Sequence, residues 1–282
     1  MVVLFGTEEQ EEMKKSEVTK KIFINLFIII LFILFFLSVI KIYQMPHLIL
    51  IRHGQSEWNL EKRFTGWVDV DLTGLGKLEA CKSGEYIKEL GLKIDYFYSS
   101  FQLRAINTLK LIQDTLRDNK KPIRAWQLNE RHYGALTGLN KDEMRNKHGK
   151  DKIHEFRRSW EIKPEPLSRN NPYHPINIAT YKNVPREKIP DTESLKDTYE
   201  RVIKYYNTDI QNKLLDNKNI LISAHGNSIR ALCKFLFKLD NKKISLLEIP
   251  TGNPLLINLN SKQEITECRY LDKDRSKDLI IF

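Results

Sequence analysis

Hydrophobic and polar positions alternate with different periods along this chain, and the changes of period divide it. Ile22 to Ile40 is a continuous apolar run in which Asn25 and Ser38 are the only polar residues, bracketed by Lys20, Lys21 and Lys41. A soluble surface helix would keep one polar face, and this run has none. Its length is close to the ~20 residues needed to cross the hydrocarbon of a bilayer. A cleavable leader has a shorter apolar core followed by a small-residue cleavage site, which is missing here. The pattern therefore predicts a retained transmembrane helix over 22–40. Before it, residues 1–21 are polar with no apolar period, which predicts a disordered head. After it, one folded domain is expected over 46–282.

Within that domain the pattern alternates between short apolar runs and helical spacing. Leu48, Ile49, Leu50 and Ile51 read as a strand buried on both faces. Ser56 is placed to cap a short helix. Asp71 to Leu90 predict a long helix, with Thr73 as cap, Leu75, Leu78, Ala80, Ile87 and Leu90 as its apolar positions and Gly91 as its stop. A strand is predicted over 96–100, a helix over 101–116 with Arg104 in its first turn, and a short strand over 123–126. Residues 161–193 carry Pro164, Pro166, Pro172, Pro175, Pro185 and Pro190 and keep no period, which predicts a long functional loop or lid. Helix resumes over 194–215. Ile220 to Ala224 read as another buried strand, followed by His225, Gly226 and a helix to Phe237. Two late edge strands are expected over 254–259 and 267–270. Strands alternating with helices predict an α/β domain, a mostly parallel sheet with helices on both faces.

Charge sharpens the picture. The net charge is +10. Glu8, Glu9, Glu11, Glu12 and Glu17 balance Lys14, Lys15, Lys20, Lys21 and Lys41, so all the excess lies in the globular part. A basic domain suits an anionic partner. No basic stripe interleaved with aromatics marks nucleic-acid binding. Cys81, Cys233 and Cys268 are far apart, with no C-x-x-C pair, which fits a reducing compartment.

Three predicted core strands end in polar residues: Arg52-His53-Gly54, then Ser99-Ser100 leading to Arg104, then His225-Gly226-Asn227. In open α/β sheets ligands bind at the carboxyl ends of the strands, and a helix N-terminus there favours a phosphate. Gly54 would let the backbone approach such a ligand. Alone, Arg-His-Gly is satisfied by a buried histidine in a strand-to-helix turn. Two His-Gly ends with two arginines converge on one crevice. Guanidinium forks match phosphate oxygens, and a neutral imidazole can attack phosphorus to form a phosphohistidine. Glu130 supplies the separate acid/base that such a transfer needs. Metal binding is the rival use of two histidines, but no carboxylate stands at ligand spacing and the arginines would repel a cation, so no metal is expected.

Longer motifs accompany these residues: Arg-His-Gly-Gln-Ser-Glu-Trp-Asn at 52–59, Phe-Thr-Gly-Trp at 64–67, Leu-Asn-Glu-Arg-His-Tyr-Gly at 128–134, Gly-Leu-Asn-Lys at 138–141, Arg-Arg-Ser at 157–159, Thr-Glu-Ser-Leu at 192–195, Ala-His-Gly-Asn-Ser at 224–228 and Ile-Pro-Thr-Gly at 249–252. With them the chain resembles the cofactor-dependent phosphoglycerate mutases of the histidine phosphatase superfamily, from Leu48 to about Leu271. The resemblance implies a histidine-phosphatase-like fold and interconversion of 3-phosphoglycerate and 2-phosphoglycerate, primed by 2,3-bisphosphoglycerate without a metal. It implies His53 as the phosphorylated nucleophile and Glu130 as the acid/base, with His225, Arg52 and Arg104 on the phosphoryl group. Ser56, Asn59, Thr65, Gly66, Gly226 and Asn227 would bind phosphate. Arg131, Tyr133, Lys141, Arg157 and Arg158 would hold the carboxylate and second phosphate. A homo-oligomer is also implied.

Two features depart from the family pattern. One is the N-terminal apolar span. The other is the C-terminus, which ends in Leu279, Ile280, Ile281 and Phe282 where the family continues into an Ala/Gly-containing mobile tail. A less sealed site would pass phosphoryl groups to water. The alternative expectation is thus a membrane-tethered, metal-free phosphatase on small phosphorylated molecules. A non-catalytic tethered binding protein would have lost a catalytic position, and none is lost. The expected location is a membrane, anchored through 22–40, with the catalytic domain in a reducing compartment. If the span is a targeting leader, the product is a soluble cytoplasmic or organellar enzyme.

Overall fold

The computed structural model describes residues 6–43 and 45–276. The apolar tip Leu279–Phe282 lies outside the described residues, as do residues 1–5 of the polar head. Two units are separate, the second beginning at Met45. The first holds one helix, α1 (Gly6–Tyr43). No side chain between Ser16 and Phe35 is buried, and the mean hydropathy there is 2.3. Among the described residues it is the one helix long and apolar enough to cross a membrane. Helix from Gly6 onward corrects the expectation of a disordered head. The head is made of strong helix formers. Glu17 and Lys21 stand at the favourable spacing of four.

The second unit is built on a six-stranded sheet ordered β3-β2-β4-β1-β5-β6. The strands are β1 (His47–Arg52), β2 (Tyr96–Ser99), β3 (Ile123–Arg124), β4 (Ile220–Ala224), β5 (Leu255–Leu259) and β6 (Ile265–Tyr270). The first four in the order are mutually parallel; β5 runs antiparallel to β1, and β6 antiparallel to β5. Alternation along β1 sends Leu48 and Leu50 to one core and Ile49 and Ile51 to the other. The first core is closed by α7 (Leu195–Tyr205), α9 (Gly226–Leu236) and α10 (Asn241–Leu246). The second is closed by α3 (Gly74–Glu89) and α4 (Leu103–Leu116). Apolar residues on both faces explain why β1 and β4 read as unbroken runs. The remaining helices are α2 (Glu57–Leu60), α5 (Lys141–His148), α6 (Lys150–Arg158) and α8 (Gln211–Leu215).

Three expectations change. β5 is interior, held between β1 and β6, because its residues Leu255, Leu256 and Ile257 are buried on both faces. The helix α3 begins at Gly74, after its Thr73 cap, and leaves Leu75 and Leu78 exposed. It buries small residues instead, Gly76, Ala80, Ser83 and Gly84, so that its backbone lies close against α4 and the loop after β1. The proline-rich segment is not bare loop. It makes three short 3₁₀ turns, and Tyr181, Val184 and Ile189 pack around Trp67.

The close approach at Gly54 is to protein, not to a ligand. A Cβ there would lie 2.1 Å from the Gly76 carbonyl oxygen, and one on Gly76 would lie 2.0 Å from that of Gln55. Backbone on both sides cannot yield as a side chain can. Gly54→Ala is therefore expected to destabilise the domain by about 2–4 kcal/mol. The thermal midpoint should fall by roughly 5–10 °C. An unchanged midpoint by circular dichroism would show that this contact is not tight.

Candidate active site

Sheet topology brings the polar strand ends together. Arg52 and Ala224 are paired at the ends of neighbouring parallel strands, and the His53 amide continues the ladder to the Ala224 carbonyl at 3.0 Å. His53 and His225 follow immediately, with ring centroids 5.0 Å apart. On the other side of β4, the end of β2 places Ser100 against His225 and starts α4, which delivers Arg104.

A hydrogen bond to a carbonyl sets the tautomer of His53. His53 Nδ1 lies 2.7 Å from the Gly54 carbonyl oxygen, which can only accept, so Nδ1 carries the proton. Nε2 is then an acceptor, and Arg104 Nε donates to it at 3.3 Å. Burial first, then the nearby Arg104 and Arg52, lower the His53 pKa well below the usual histidine value, so the ring is neutral at pH 7 with a lone pair on Nε2. Ser100 Oγ accepts from the Gln102 amide and lies 2.8 Å from His225 Nε2. Ser100 can donate or accept there, so the contact fits either tautomer of His225, whose other ring nitrogen is Nδ1. That buried Nδ1 has no partner among the described residues. Burial and the same arginines also depress the His225 pKa.

Arg104 is 1% exposed, and its fork is fixed by the Val68 and Gly66 carbonyls, each at 2.9 Å. Arg52 Nη1 donates to the Ile249 carbonyl at 2.8 Å, while its buried Nε has no partner among the described residues. Glu130 is also buried. Its Oε1 accepts from the backbone amides of Arg131 at 2.8 Å and Asn227 at 3.1 Å. Its own amide donates to Gln102 Oε1, and Gln102 Nε2 in turn holds the Gly66 carbonyl. Beneath this loop Arg201 binds the Gln127, Asn129 and Glu130 carbonyls and pairs with Glu193.

One cavity joins these groups. Its wall includes Arg52, His53, Asn59, Thr65, Arg104, Glu130, Tyr133, Lys141, Arg157, Arg158, Gly226 and Asn227, all expected from the sequence. Four expected residues do not reach that wall. Ser56 occupies the N-cap of α2, where its amide donates to Asn59 Oδ1. Gly66 contributes the carbonyl that fixes Arg104 and Gln102. Arg131 is fully buried, its guanidinium 4.8 Å from the Tyr133 ring centroid and bonded to the Phe156 carbonyl. His225 stands directly behind His53. Conversely, Arg230 and Glu248 line the cavity and were not foreseen. Arg230 could have been found, since it lies four residues after Gly226 and so on the same helix face. Ser100 belonged to a polar strand end already noted, though not as a partner of His225; Gln102 and Arg201 carried no comparable signal, because they act through backbone groups brought together only by folding.

The cavity fits a doubly anionic ligand. Six cationic side chains face two carboxylates. A Cβ on Gly226 would lie 3.7 Å from each of Arg52 Nε, Arg230 Nη1 and Glu130 Oε2, so the missing side chain leaves a cradle bounded by two donors and a carboxylate. Among the described residues no cluster of three or more His, Cys, Asp or Glu is arranged to hold a metal ion.

Lys141 reports on this crowding of charge. It donates to the Arg63 carbonyl at 2.6 Å. Burial, then repulsion from Arg157 and Arg52, lower its pKa to about 8. Below that pH it is cationic and attracts the anion; above it the charge is lost. Apparent KM for an anionic substrate is expected to rise several-fold as pH passes through about 8. In Lys141→Met, KM should be higher at pH 7 and this rise absent. A wild-type KM flat from pH 7 to 9 would contradict the assignment.

Comparison with known proteins follows the same outline. The model of the histidine phosphatase superfamily (branch 1) matches residues 48–174 and 168–269. A protein of Pelagibacter ubique (strain HTCC1062) named 2,3-bisphosphoglycerate-dependent phosphoglycerate mutase is 79% identical over 238 residues, covering 84% of this chain and 100% of the relative. One of the same name from Maricaulis maris (strain MCS10) is 48% identical over 237 residues, covering 83% and 98%. Among solved structures, a mycobacterial glucosyl-3-phosphoglycerate phosphatase superposes with TM-score 0.59 at 20% identity, covering 80% of this chain and 96% of that one. A further mycobacterial hydrolase gives 0.60 at 18%, with the same coverage. These structures share the fold.

Proposed function

The chain belongs to the histidine phosphatase superfamily, and from that premise we propose that it interconverts 3-phosphoglycerate and 2-phosphoglycerate, a glycolytic isomerisation, through a phosphohistidine primed by 2,3-bisphosphoglycerate. The observation that carries this reading is one cavity lined by six cationic side chains around His53: Arg52, Arg104, Lys141, Arg157, Arg158 and Arg230. A phosphomonoester alone is matched by fewer cations than these. A substrate with a carboxylate or a second phosphate as well makes use of the rest. The mutase names of the relatives at 79% and 48% identity support the same choice.

In the reaction, His53 Nε2 attacks phosphorus, the N–P bond forms and the P–O bond to the sugar-acid oxygen breaks. The Nδ1–H bond to the Gly54 carbonyl stabilises the charge that develops on the ring. Arg104 and Arg52, which line the cavity, bind the equatorial oxygens, whose charge is spread in the transition state, and His225 packs behind His53. Glu130 gives its proton to the leaving oxygen. In the return half, Glu130 takes the proton from the neighbouring hydroxyl as that oxygen attacks, and the N–P bond breaks. Transfer first to the 2-hydroxyl and then from the 3-position exchanges the isomers. Primer dependence tests the reading. With 3-phosphoglycerate alone the initial rate of 2-phosphoglycerate formation is expected near zero, rising to a plateau with micromolar 2,3-bisphosphoglycerate. A full rate without primer would refute it.

The same reading makes residues 22–40 a membrane anchor. It is supported by the apolar stretch Ser16–Phe35 and by the family match beginning only at residue 48, after α1.

A further inference from the structure

Glu248 is out of keeping with the cavity it lines. Every other ionisable group on the wall except Glu130 is a cation, a histidine or a tyrosine. Glu130 is buried and fixed by two backbone amides; Glu248 is half-exposed, and its carboxylate is held only by arginines among its side-chain partners. Its Oε1 pairs with Arg158 Nη2 at 2.5 Å and its Oε2 with Arg230 Nη2 at 3.4 Å. The two guanidiniums are themselves nearly buried. Arg230 is fixed independently, by Nε to the Leu247 carbonyl at 2.7 Å and Nη1 to Asn227 Oδ1 at 3.2 Å. Its Nη1 also borders the cradle at Gly226.

We infer that Arg230 is a further anion-binding residue of the substrate cavity, and that Glu248 is a built-in competitor for the substrate's second anionic group at Arg158 and Arg230. Without Glu248, Arg230 keeps its bonds to Leu247 and Asn227 and Arg158 its bond to the Leu247 carbonyl, whereas the carboxylate is half-exposed. An incoming carboxylate or phosphate therefore displaces Glu248 into water without dismantling the pocket. Displacement weakens ground-state binding of a two-anion ligand and speeds its departure. It leaves a one-anion ligand at His53 almost unaffected, because Arg52 and Arg104 are held by carbonyls of other segments. This inference rests on the two-anion reading of the cavity, not on the identity of the phosphoglycerate.

The test is isothermal titration of the full chain, in mild detergent, with pyrophosphate as a two-anion probe and orthophosphate as a one-anion probe. Glu248→Gln keeps the shape and one acceptor but removes the competing charge. It should bind pyrophosphate about fivefold more tightly, the scale of a partly exposed ion pair. Its orthophosphate affinity should change less than about twofold. Arg230→Lys should weaken pyrophosphate binding, and Arg230→Met more so, by about tenfold. In turnover, Glu248→Gln should lower KM without raising kcat. Weaker or unchanged pyrophosphate binding in Glu248→Gln, at an unchanged thermal midpoint, would overturn the competitor role and make Glu248 a residue that aligns the arginines. Equal tightening of both probes would overturn its confinement to the second anionic group. Should the wild type bind and respond as described but form no 2-phosphoglycerate, the mutase reading fails and this one stands.

Discussion

Replacing His53 by alanine is expected to lower mutase turnover by on the order of 10⁴-fold or more, as loss of a covalent nucleophile does when nothing can take its place. The geometry makes the expectation specific. Nε2 of His53 carries the lone pair because Nδ1–H is committed to the Gly54 carbonyl. His225 cannot substitute, since its Nε2 is engaged by Ser100 and it lies behind the cavity wall. His53 is 2% exposed, so alanine leaves a void; His53→Gln, closer in volume, separates folding from chemistry. Both variants should also fail to retain label from 2,3-bisphosphoglycerate labelled on phosphorus. Turnover within tenfold of wild type in either, with a normal unfolding transition, would remove His53 from the role of nucleophile.

The second large effect is expected at Glu130. Glu130→Gln preserves an oxygen for the amides of Arg131 and Asn227, so the loop should keep its shape. What is lost is the proton that the leaving oxygen needs. Mutase turnover should fall by about 10²–10⁴-fold. A phosphate ester of nitrophenol needs no such proton, because nitrophenolate leaves as an anion. Phosphorylation of His53 by that ester should therefore change less than about tenfold, and nitrophenolate release in the first turnover measures it. If Glu130→Gln slows both reactions equally, Glu130 positions the phosphoryl group and another group moves the proton.

The difference between these residues and those the sequence did not reveal is physical. Strands β1 and β4 are buried on both faces, so they appear as uninterrupted apolar runs, and the polar residues that end them stand out. His53, Arg52 and His225 were legible for that reason, and Arg104 because it opens a helix directly after β2. The small-residue face of α3 was not. Leu75 and Leu78 suggested the buried side, but the contact with Gly54 and α4 is too close for large side chains there. The proline-rich segment lacks a period because it follows the surface around Trp67 and not a regular element. Arg131 was assigned to substrate from its motif, yet its guanidinium lies against the Tyr133 ring and bonds the Phe156 carbonyl, at the end of α6. It sets the position of residues that do line the cavity. Glu248 was hidden because a lone acid before Ile-Pro-Thr-Gly is unremarked until Arg158 and Arg230 converge on it.

On the proposed mechanism His53 attacks phosphorus whichever acceptor follows; the central claim is that the acceptor here is a sugar-acid hydroxyl. One measurement addresses it. The full chain is incubated with 3-phosphoglycerate and a trace of 2,3-bisphosphoglycerate, and 2-phosphoglycerate and inorganic phosphate are followed together. The cavity with its six cationic side chains predicts that 2-phosphoglycerate forms at least about a hundredfold faster than phosphate, because the bound acceptor is held at the phosphohistidine and water is not. Phosphate forming as fast as 2-phosphoglycerate, or faster, would contradict it and make the same histidine the nucleophile of a phosphatase.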